Sequence, residues 1–281
     1  MKIVAGIVLY NPDEKRLLEN IAKIIHQVDK VICIDNNSKN INEIASKLKS
    51  KYQKIEIIYN NENKGIAYAL NQILNYACEN QYEWFLTLDQ DSVVEKDLIN
   101  TYLRYINEHK VAMLTCKIVD RNFETKKEKQ YEIKEIEKCI TSGTLNNTGI
   151  IKKVGGYDNA MFIDSVDFDI CTTLKENGYK IIRINYEGLL HEVGHATTRR
   201  FLWRKIQVYH HSPFRTYYII RNGIYYTKKH KNSINVGYSY FCVMKRCVYI
   251  LLYQKQKCDN LKAIMKGIRD GIKMNPQKDK S

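Results

Sequence analysis

The sequence predicts an α/β fold in which helices cover both faces of a mostly parallel central sheet, followed by a helical and basic C-terminal extension. Three observations support this prediction. Short apolar runs alternate with segments of helical periodicity through the first half of the chain. Polar clusters follow directly after three of these runs, and basic residues are concentrated in the last third of the chain.

Four apolar runs in the first half predict buried strands. They span residues 2–10, 31–34, 55–59 and 84–88. The segments between them place apolar residues at helical spacing and predict helices over residues 13–27, 41–48 and 65–78. Because the strand runs are continuously apolar instead of alternating, we expect both faces of the sheet to be covered, as in parallel sheets.

Polar residues cluster where three of the predicted strands end. The clusters are Tyr10 and Asn11, Asp35 and Asn36, and Asp89, Gln90 and Asp91. In a parallel sheet these ends meet at one edge, where ligands bind outside the carboxyl ends of the strands. The pair Asp89 and Asp91 offers the hard carboxylate oxygens that Mg²⁺ and Mn²⁺ bind. The alternative for this pair is a solvated turn that caps the next helix.

The charge of the chain is divided unevenly. The net charge is +14, and residues 199–281 hold 19 Lys and Arg but three Asp, a charge of +16. The preceding residues are therefore nearly neutral. A cationic segment binds anionic partners, so a membrane surface, nucleic acid or a phosphorylated substrate each fits. No nucleic-acid-binding signature accompanies the basic residues, so no nucleic-acid partner is expected.

Composition excludes several other classes of protein. Three prolines and 44% hydrophobic residues exclude a disordered or fibrous chain. The eight cysteines include no C-x-x-C pair, so we expect reduced thiols in a cytoplasmic protein. The chain has no run of eighteen apolar residues, so we predict no membrane-spanning helix.

The C-terminal extension, residues 229–281, is predicted to be helical and amphipathic. One helical face would carry the apolar residues Leu261, Ile264, Met265, Ile268 and Ile272, with cations opposite. This pattern favours binding to the surface of an anionic bilayer. The alternative is a helix that packs on the rest of the protein and leaves its basic face in solvent, and the two arrangements are compatible.

Residues 191–195 match the H-E-x-x-H pattern of zinc proteases. That chemistry requires a helix, because both histidines must share one face to bind zinc. Gly194 weakens a helix here, and residues 186–190 are typical of the end of a strand. The sequence therefore disfavours a zinc-protease site.

Five motifs occur in a characteristic order along the chain. They are Tyr10-Asn11-Pro12, residues 34–38, residues 63–71, Leu88-Asp89-Gln90-Asp91-Ser92, and residues 162–169 followed by Gly178-Tyr179. This set resembles the family 2 glycosyltransferases of GT-A fold, most closely their rhamnosyltransferase-like branch. The similarity extends from about residue 3 to residue 226, and more faintly to residue 271. It implies a catalytic GT-A domain over residues 1–228, with a nucleotide-binding half to about residue 92 and an acceptor-binding half from about residue 93.

The resemblance also implies which residues bind a nucleotide-sugar donor. Asp35 would read the pyrimidine ring, while Tyr10 and Asn11 would border the base and the ribose. Gly65 would let the backbone approach the nucleotide closely. The remaining implied nucleotide and diphosphate contacts are Asn36, Asn63, Asp89, Gln90, Arg215 and Arg221. For the arginines, the alternative is a helix that keeps them in water.

A divalent cation, Mg²⁺ or Mn²⁺, is the implied cofactor. Asp91 would be its direct ligand, with Asp89 second and His191 as a further ligand of the metal or diphosphate. The catalytic base falls on Asp167, which would deprotonate an acceptor hydroxyl and give inversion in one displacement. Asp169 would begin the helix that runs to Asn177.

The branch implies the substrates as well. We expect transfer of L-rhamnose from dTDP-L-rhamnose to a hydroxyl of a lipid-linked or growing bacterial surface polysaccharide. A UDP-hexose donor, such as UDP-galactose or UDP-glucose, stays open, and a non-catalytic membrane-surface or nucleic-acid-binding protein is the lesser alternative. We expect a peripheral protein on the cytoplasmic face of the plasma membrane, and a homodimer stays open.

Overall fold

The computed structural model describes residues 1–120, 132–191, 196–201 and 204–276, with the backbone alone for residues 120, 191, 196–201, 204–207 and 209. The chain forms two compact units. The first comprises Met1–Tyr157 and Ile170–Glu192, and the second comprises Asp158–Asp169 and Val193–Ser281. The predicted boundaries near residues 92 and 228 concern function and stay predictions.

The first unit is built on a nine-stranded sheet. Its strands are β1 (Ile3–Leu9), β2 (Lys30–Asp35), β3 (Ile55–Tyr59), β4 (Trp84–Asp89), β5 (Val93–Val94), β6 (Val111–Asp120), β7 (Ile133–Glu135), β8 (Thr144–Asn147) and β9 (Lys180–His191). They are ordered β3-β2-β1-β4-β8-β6-β9-β5, and β7 pairs with β9. The four strands that the sequence predicts are all present.

The direction of the strands changes across the sheet. Strands β1 to β4 pair in parallel, as do β6 and β9. Strand β8 pairs antiparallel with both β4 and β6, and β5 and β7 pair antiparallel with β9. The α/β fold is confirmed, but the sheet is mixed rather than mostly parallel, because β8 enters between β4 and β6 in the opposite direction.

Helices of the first unit cover the sheet. They are α1 (Glu14–Ile24), α2 (Ile41–Lys51), α3 (Ile66–Glu79), α4 (Leu98–Leu103) and α5 (Thr148–Lys153). The predicted helices are confirmed, and Asp13 caps α1 by accepting a hydrogen bond from the amide of Arg16. Helix α3 packs so closely on β1 that a Cβ at Gly6 would lie 2.5 Å from the side chain of Ile73. Only glycine fits there, so the middle of α3 packs directly on the middle of β1.

The second unit is largely helical. It contains a short 3₁₀ turn (Asn159–Met161), the antiparallel hairpin β10 (Ala196–Phe201) and β11 (Arg204–Tyr209), and helices α7 (Pro213–Lys229), α8 (Val236–Tyr253) and α9 (Lys257–Lys273). Helix α6 (Val166–Glu176) begins in this unit and continues into the first. Helices α8 and α9 both pack on α7, around a small core that includes Ile219, Ile220 and Ile264.

Two glycines set the packing of α9 on α7. A Cβ at Gly267 would lie 2.8 Å from the carbonyl oxygen of Tyr217, and one at Gly271 would lie 2.8 Å from that of Arg221. The two backbones therefore approach one another more closely than any larger residue would allow. The C-terminal extension is helical, as predicted, and α9 packs on α7 within the second unit.

The predicted apolar face of α9 is divided between two environments. Ile264 is buried, whereas Leu261, Met265, Ile268 and Ile272 are exposed. Ile264 lies at the side of this face where Gly267 and Gly271 bring the helix against α7. No helix among the described residues is long and apolar enough to cross a bilayer.

Candidate active site

The strand register brings two predicted carboxylates to one edge of the sheet. Strand β1 lies between β2 and β4, with Leu9 opposite Asp35 and Val8 opposite Asp89. Neighbouring strands lie about 4.8 Å apart, so the backbones of Asp35 and Asp89 are separated by about 10 Å. The predicted convergence of the strand-end residues at one edge is confirmed for these two positions.

A side-chain bridge joins the ends of β1 and β4. The Gln90 carbonyl oxygen accepts a hydrogen bond from the Tyr10 amide at 2.8 Å, and its NH₂ group donates to the Tyr10 carbonyl at 3.4 Å. The Tyr10 ring is half exposed. Gln90 therefore fixes the backbone at Tyr10 and leaves the ring available to a ligand.

The turn after β2 is tied to the turn after β1. Asn11, which has φ of +47°, donates its amide to the Ser38 hydroxyl at 2.8 Å and accepts from the Lys39 amide at 2.9 Å. The Asp35 carboxylate accepts from the Ser38 amide at 3.1 Å and is nearly fully buried. This bond is typical of a turn in which a carboxylate accepts from a backbone amide three residues later. A carboxylate has about four acceptor positions, so this bond leaves capacity for a ligand N–H.

Asn36 connects the end of β2 to the start of α3. Its NH₂ group donates to the Gly65 carbonyl at 3.2 Å, and its carbonyl oxygen accepts from Asn60 at 2.9 Å. Gly65 has φ of +85°, and its amide donates to the Asn63 side chain at 2.9 Å. The buried Asn36 amide therefore holds the backbone at Gly65, where the absence of a side chain permits close approach to a ligand.

Two residues that the sequence did not single out as ligand-binding support Asp89. The buried Asn20 donates to the Asp89 carbonyl at 2.8 Å, and the Ser142 hydroxyl accepts from the Asp89 amide at 3.0 Å. Ser142 also donates to the Ser92 hydroxyl at 2.8 Å. Asn20 lies in α1 and Ser142 lies 53 residues from Asp89, so no local motif reveals either role.

The donor set at Asp89 and Asp91 fits a hard divalent cation. Both carboxylates are half-buried and follow strand β4 directly. Among the described residues no group of three or more His, Cys, Asp or Glu side chains could hold a metal ion. Mg²⁺ commonly uses one or two protein carboxylates and completes its shell with water and substrate phosphates. The pair therefore suits a cation that is shared with a phosphorylated ligand.

The predicted ligand His191 is the last residue of β9, and only its backbone is described. Residues 192–195, which complete the H-E-x-x-H pattern, lie outside the described residues. Cys33, one of the eight free cysteines, lies in β2 near Asp35, and burial raises the pKa of its thiol to about 12. This thiol stays protonated near neutral pH and serves packing.

The second unit contains Asp167, the predicted catalytic base. Asp167 lies in the first turn of α6, is half-buried, and accepts a hydrogen bond from the Phe168 amide at 2.9 Å. The segment before it is unusual, because Phe162, Asp164 and Ser165 all have φ between +60° and +65°. Non-glycine residues rarely adopt this conformation, and clusters of them are found at functional sites.

Helix α7 holds this strained segment. The buried Asn222 donates its NH₂ group to the carbonyls of Met161, Ile163 and Asp164 at 2.6 to 2.9 Å. A single buried amide that satisfies three carbonyls stabilises backbone that would otherwise be costly.

The two predicted diphosphate-binding arginines have partners within the second unit. Arg215 makes a bidentate ion pair with Asp164, with nitrogen–oxygen distances of 3.0 and 3.1 Å, and is nearly half exposed. Arg221 donates to the carbonyls of Ala160 and Met161 and stacks on the Tyr218 ring at 4.5 Å. Both arginines support the segment that leads to Asp167.

Asp169 was expected to begin α6, but the helix begins at Val166 and Asp169 lies in its first turn. Its carboxylate is buried and accepts from Lys229 Nζ at 2.7 Å and from His230 Nε2 at 2.9 Å. Lys229 also lies 2.6 Å from the buried Asp158. The expected capping role is replaced by a buried charge network that fixes the start of α6.

The predicted site residues therefore fall into two groups. Those in the first unit meet at the carboxyl edge of the parallel strands: Tyr10, Asn11, Asp35, Asn36, Asn63, Gly65, Asp89, Gln90 and Asp91. Asp167, Arg215 and Arg221 belong to the second unit, where both arginines contact the segment before α6.

The chain resembles known proteins both in sequence and in fold. At the level of sequence, the model of glycosyl transferase family 2 matches residues 5–170. The dTDP-rhamnosyl transferase RfbF of Shigella flexneri is 26% identical over 294 residues, which span 96% of this chain and 95% of RfbF.

Solved structures share the fold at low sequence identity. The mannosyltransferase PcManGT from Pyrobaculum calidifontis, in complex with GDP-Man and Mn²⁺, is 13% identical with a TM-score of 0.59, covering 96% of this chain and 73% of that chain. TarS 1–349 of S. aureus, in complex with UDP-GlcNAc, is 15% identical with a TM-score of 0.62, covering 97% of this chain and 81% of that chain.

Proposed function

The chain belongs to glycosyl transferase family 2, and on this basis we propose that it transfers L-rhamnose from dTDP-L-rhamnose to a hydroxyl of a lipid-linked or growing surface polysaccharide. The resemblance to RfbF, named a dTDP-rhamnosyl transferase, supports the choice of donor. The strand register supports the donor site most directly, since it sets Asp35 and Asp89 on either side of the end of β1 in a GT-A fold.

We assign the donor nucleotide to the edge of the first unit. Asp35 would accept the ring N–H of thymine, and the exposed face of Tyr10 would stack on the base. Asn11 would border the ribose. Asn36 and Asn63 hold Gly65 in the open backbone conformation that a nucleotide can approach.

Charged and metal-binding side chains would bind the diphosphate and the metal. Asp91 and Asp89 would hold Mg²⁺ or Mn²⁺, with His191 as a proposed further ligand. When bound, a divalent cation neutralises the charge of the departing nucleoside diphosphate. Arg215 would add a permanent positive charge toward the phosphates, whereas the described contacts of Arg221 favour a positioning role.

Asp167 is the proposed base. Its carboxylate would take the proton from the acceptor hydroxyl as that oxygen forms a bond to the anomeric carbon. The bond between the anomeric carbon and the diphosphate oxygen breaks at the same time, and the electron pair leaves with the dTDP. Attack from the face opposite the leaving group inverts the anomeric configuration.

We further propose that the protein acts as a peripheral protein on the cytoplasmic face of the plasma membrane. Helices α8 and α9 expose apolar side chains, including Phe241, Met244 and Met265, in the most basic part of the chain. Exposed apolar residues beside cations suit the interface of an anionic bilayer. A lipid-linked acceptor would be reached at this surface.

The choice of donor is tested by thermal shift with the full chain and Mn²⁺. dTDP-L-rhamnose, UDP-glucose and UDP-galactose are compared at equal concentration, because at a given concentration the ligand that binds more tightly raises the apparent stability more. We expect the largest increase in Tm with dTDP-L-rhamnose. A larger increase with a UDP-hexose would replace the proposed donor and keep the class of reaction.

The role of Asp167 is tested by the variant Asp167→Asn. A general base contributes about 10²- to 10⁴-fold to the rate, so turnover should fall by that factor while the donor-induced Tm increase is unchanged. Glu176→Gln makes the same chemical change at an exposed position of α6 and should leave turnover intact. Normal turnover of Asp167→Asn would refute the assignment of the base.

A further inference from the structure

The second unit contains a pocket of about 350 Å³ that the donor site does not use. Strand β11 and helices α7 and α8 contribute its lining. Buried Val208, Ile219 and Ile250 form an apolar part of the wall. The volume exceeds that of a single phosphate ion, so the pocket can also enclose the polar part of a larger molecule.

The polar residues that line this pocket favour an anion. Lys245 and Arg246 follow one another on α8, line the pocket and are exposed. The described lining includes no Asp or Glu. Asp164, the acid that faces His211 from the segment before α6, is neutralised by its ion pair with Arg215.

His211 adds a neutral polar group to the lining. Burial, and then the nearby Arg215, lower the pKa of His211 to about 4, so the imidazole is uncharged near neutral pH. The imidazole therefore adds no charge of its own near neutral pH. Two cations, with no acid in the described lining, make a suitable environment for a phosphate group.

An exposed apolar stripe lies next to this pocket on the same helix. Its members on α8 are Tyr238, Phe241, Met244, Val248 and Leu252, which are 42% to 66% exposed. At 3.6 residues per turn these positions share one face, and Lys245 lies at the boundary between that face and the pocket. A ligand in the pocket would therefore have an apolar surface beside it.

Helix α9 carries a second stripe of the same kind. Leu261, Met265, Ile268 and Ile272 are 38% to 62% exposed. The cations Lys262, Lys266, Arg269 and Lys273 lie along the adjacent face of the helix. Exposed apolar residues bordered by Lys and Arg are characteristic of helices that lie in the interface of an anionic membrane.

We infer that the pocket binds the phosphate of a membrane lipid headgroup while the α8 and α9 stripes contact the acyl region of the same monolayer. This inference rests on the proposed membrane association and adds a defined headgroup site to it. The cations of the pocket would bind the phosphate, and the neighbouring apolar stripe of α8 would contact the acyl chains of the lipid. A free phosphate would use only the first of these two features.

The test compares full-length variants in vesicle co-sedimentation. Lys245→Gln with Arg246→Gln alters the pocket, and Lys262→Gln with Lys266→Gln removes the same charge from α9. Phosphatidylcholine vesicles contain either phosphatidic acid or enough oleate to match the surface charge. We expect the unaltered protein to bind the phosphatidic acid vesicles about 10-fold more tightly, because charge-assisted hydrogen bonds to phosphate add to general attraction.

The two variants should then behave differently. The α9 variant should bind both kinds of vesicle roughly 30-fold less tightly and keep the preference for phosphatidic acid, since each surface cation contributes a similar attraction. The pocket variant should lose the preference itself. A preference that survives in the pocket variant, or none in the unaltered protein, would overturn the inference.

A soluble competitor distinguishes the sources of phosphate. Dihexanoyl phosphatidic acid should displace the protein from phosphatidic acid vesicles at a concentration at which inorganic phosphate does not. If inorganic phosphate competed as well as dihexanoyl phosphatidic acid, the pocket would be a site for free phosphate, and the inference of a lipid site would be overturned. The donor-induced Tm increase, measured without vesicles, should be unchanged in the pocket variant. Absence of that increase in the unaltered protein would count against the proposed reaction and leave the lipid result to stand separately.

Discussion

Lys229 is a buried charged residue of the second unit that joins two buried carboxylates. Its ammonium group is 8% exposed and lies within 2.7 Å of carboxylate oxygens of both Asp158 and Asp169. His230 and Tyr225 supply further hydrogen bonds to the same two carboxylates. A buried charge of this kind is tolerated because opposite charges and hydrogen bonds surround it. Removing one residue of this network leaves a buried charge without its partner.

We therefore predict that Lys229→Met destabilises the protein by about 3 to 5 kcal/mol. Two buried carboxylates would then face each other without the cation that separates them. Urea unfolding followed by circular dichroism gives the change in the free energy of unfolding. Lys231→Met makes the same substitution at an exposed position two residues away and should change that free energy by less than about 1 kcal/mol. Equal effects of the two substitutions would contradict the prediction.

At this scale the sequence predicts site residues that lie in local motifs, but not the residues that support them from a distance. Asp35 and Asp89 follow predicted strands, so periodicity indicates their positions, whereas Asp167 is predicted only by the resemblance to the family. Asn20 and Asn222 are polar residues within helices, and nothing near them in the chain indicates their contacts. Those contacts arise only when distant segments pack together.

The elements of the parallel half of the sheet follow directly from periodicity. Strands β1 to β4 are continuous apolar runs, and each is joined to the next by an amphipathic helix. Strand β8 (Thr144–Asn147) was not predictable in this way, because its sequence is polar. Asn146 is fully buried, and its side-chain NH₂ group donates to the Phe85 and Thr144 carbonyls. Such a strand depends on pairing with β4 and not on its own composition.

The contact between α7 and α9 leads to a prediction at the scale of elements. Gly267→Ala should destabilise the protein by about 1 to 3 kcal/mol, because the added methyl group would lie 2.8 Å from the Tyr217 carbonyl oxygen. This loss would outweigh the gain in helix propensity, which is about 1 kcal/mol. Thermal unfolding with circular dichroism provides the measurement.

Gly237→Ala is the matched control on α8, where the nearest atom would be an Asn235 side-chain oxygen at 3.6 Å. There the gain in propensity acts without a clash, so Tm should stay equal or rise. If Gly267→Ala raised Tm as much as the control, the close approach of α7 and α9 would not limit the size of this residue.

The whole molecule combines a neutral α/β unit with a basic helical one. The fold class and the family were predictable from the order of five motifs, since each motif marks the end of a strand or the start of a helix. The exposure of the apolar residues in α8 and α9 was not, because periodicity cannot tell which apolar face a neighbouring helix will cover. The structure resolves this point for α9 through its two glycines.

Membrane association is predicted to depend on both charge and apolar contact. In fractionated cells, Phe241→Ser combined with Met265→Ser should shift the protein from the membrane fraction to the supernatant, because two half-exposed apolar side chains are removed. Raising the salt concentration to about 0.5 M should release part of the unaltered protein, because salt screens the attraction between its cations and the anionic surface.

Tyr59→Ser is the control for this fractionation experiment. Tyr59 lies in the first unit and is 46% exposed, so its replacement also removes an exposed ring. We expect the control to remain with the membrane fraction. Release of both variants, or of neither, would contradict a role for the α8 and α9 surface.

The glycines of α9 have one more consequence. Since Gly267 and Gly271 seat against backbone atoms of α7, the helix cannot roll about its long axis to hide Leu261 or Ile272. The protein consequently exposes an apolar surface to solvent when no partner covers it. During purification we expect this apolar surface to cause aggregation of the protein in buffer without detergent. A mild detergent should prevent that aggregation.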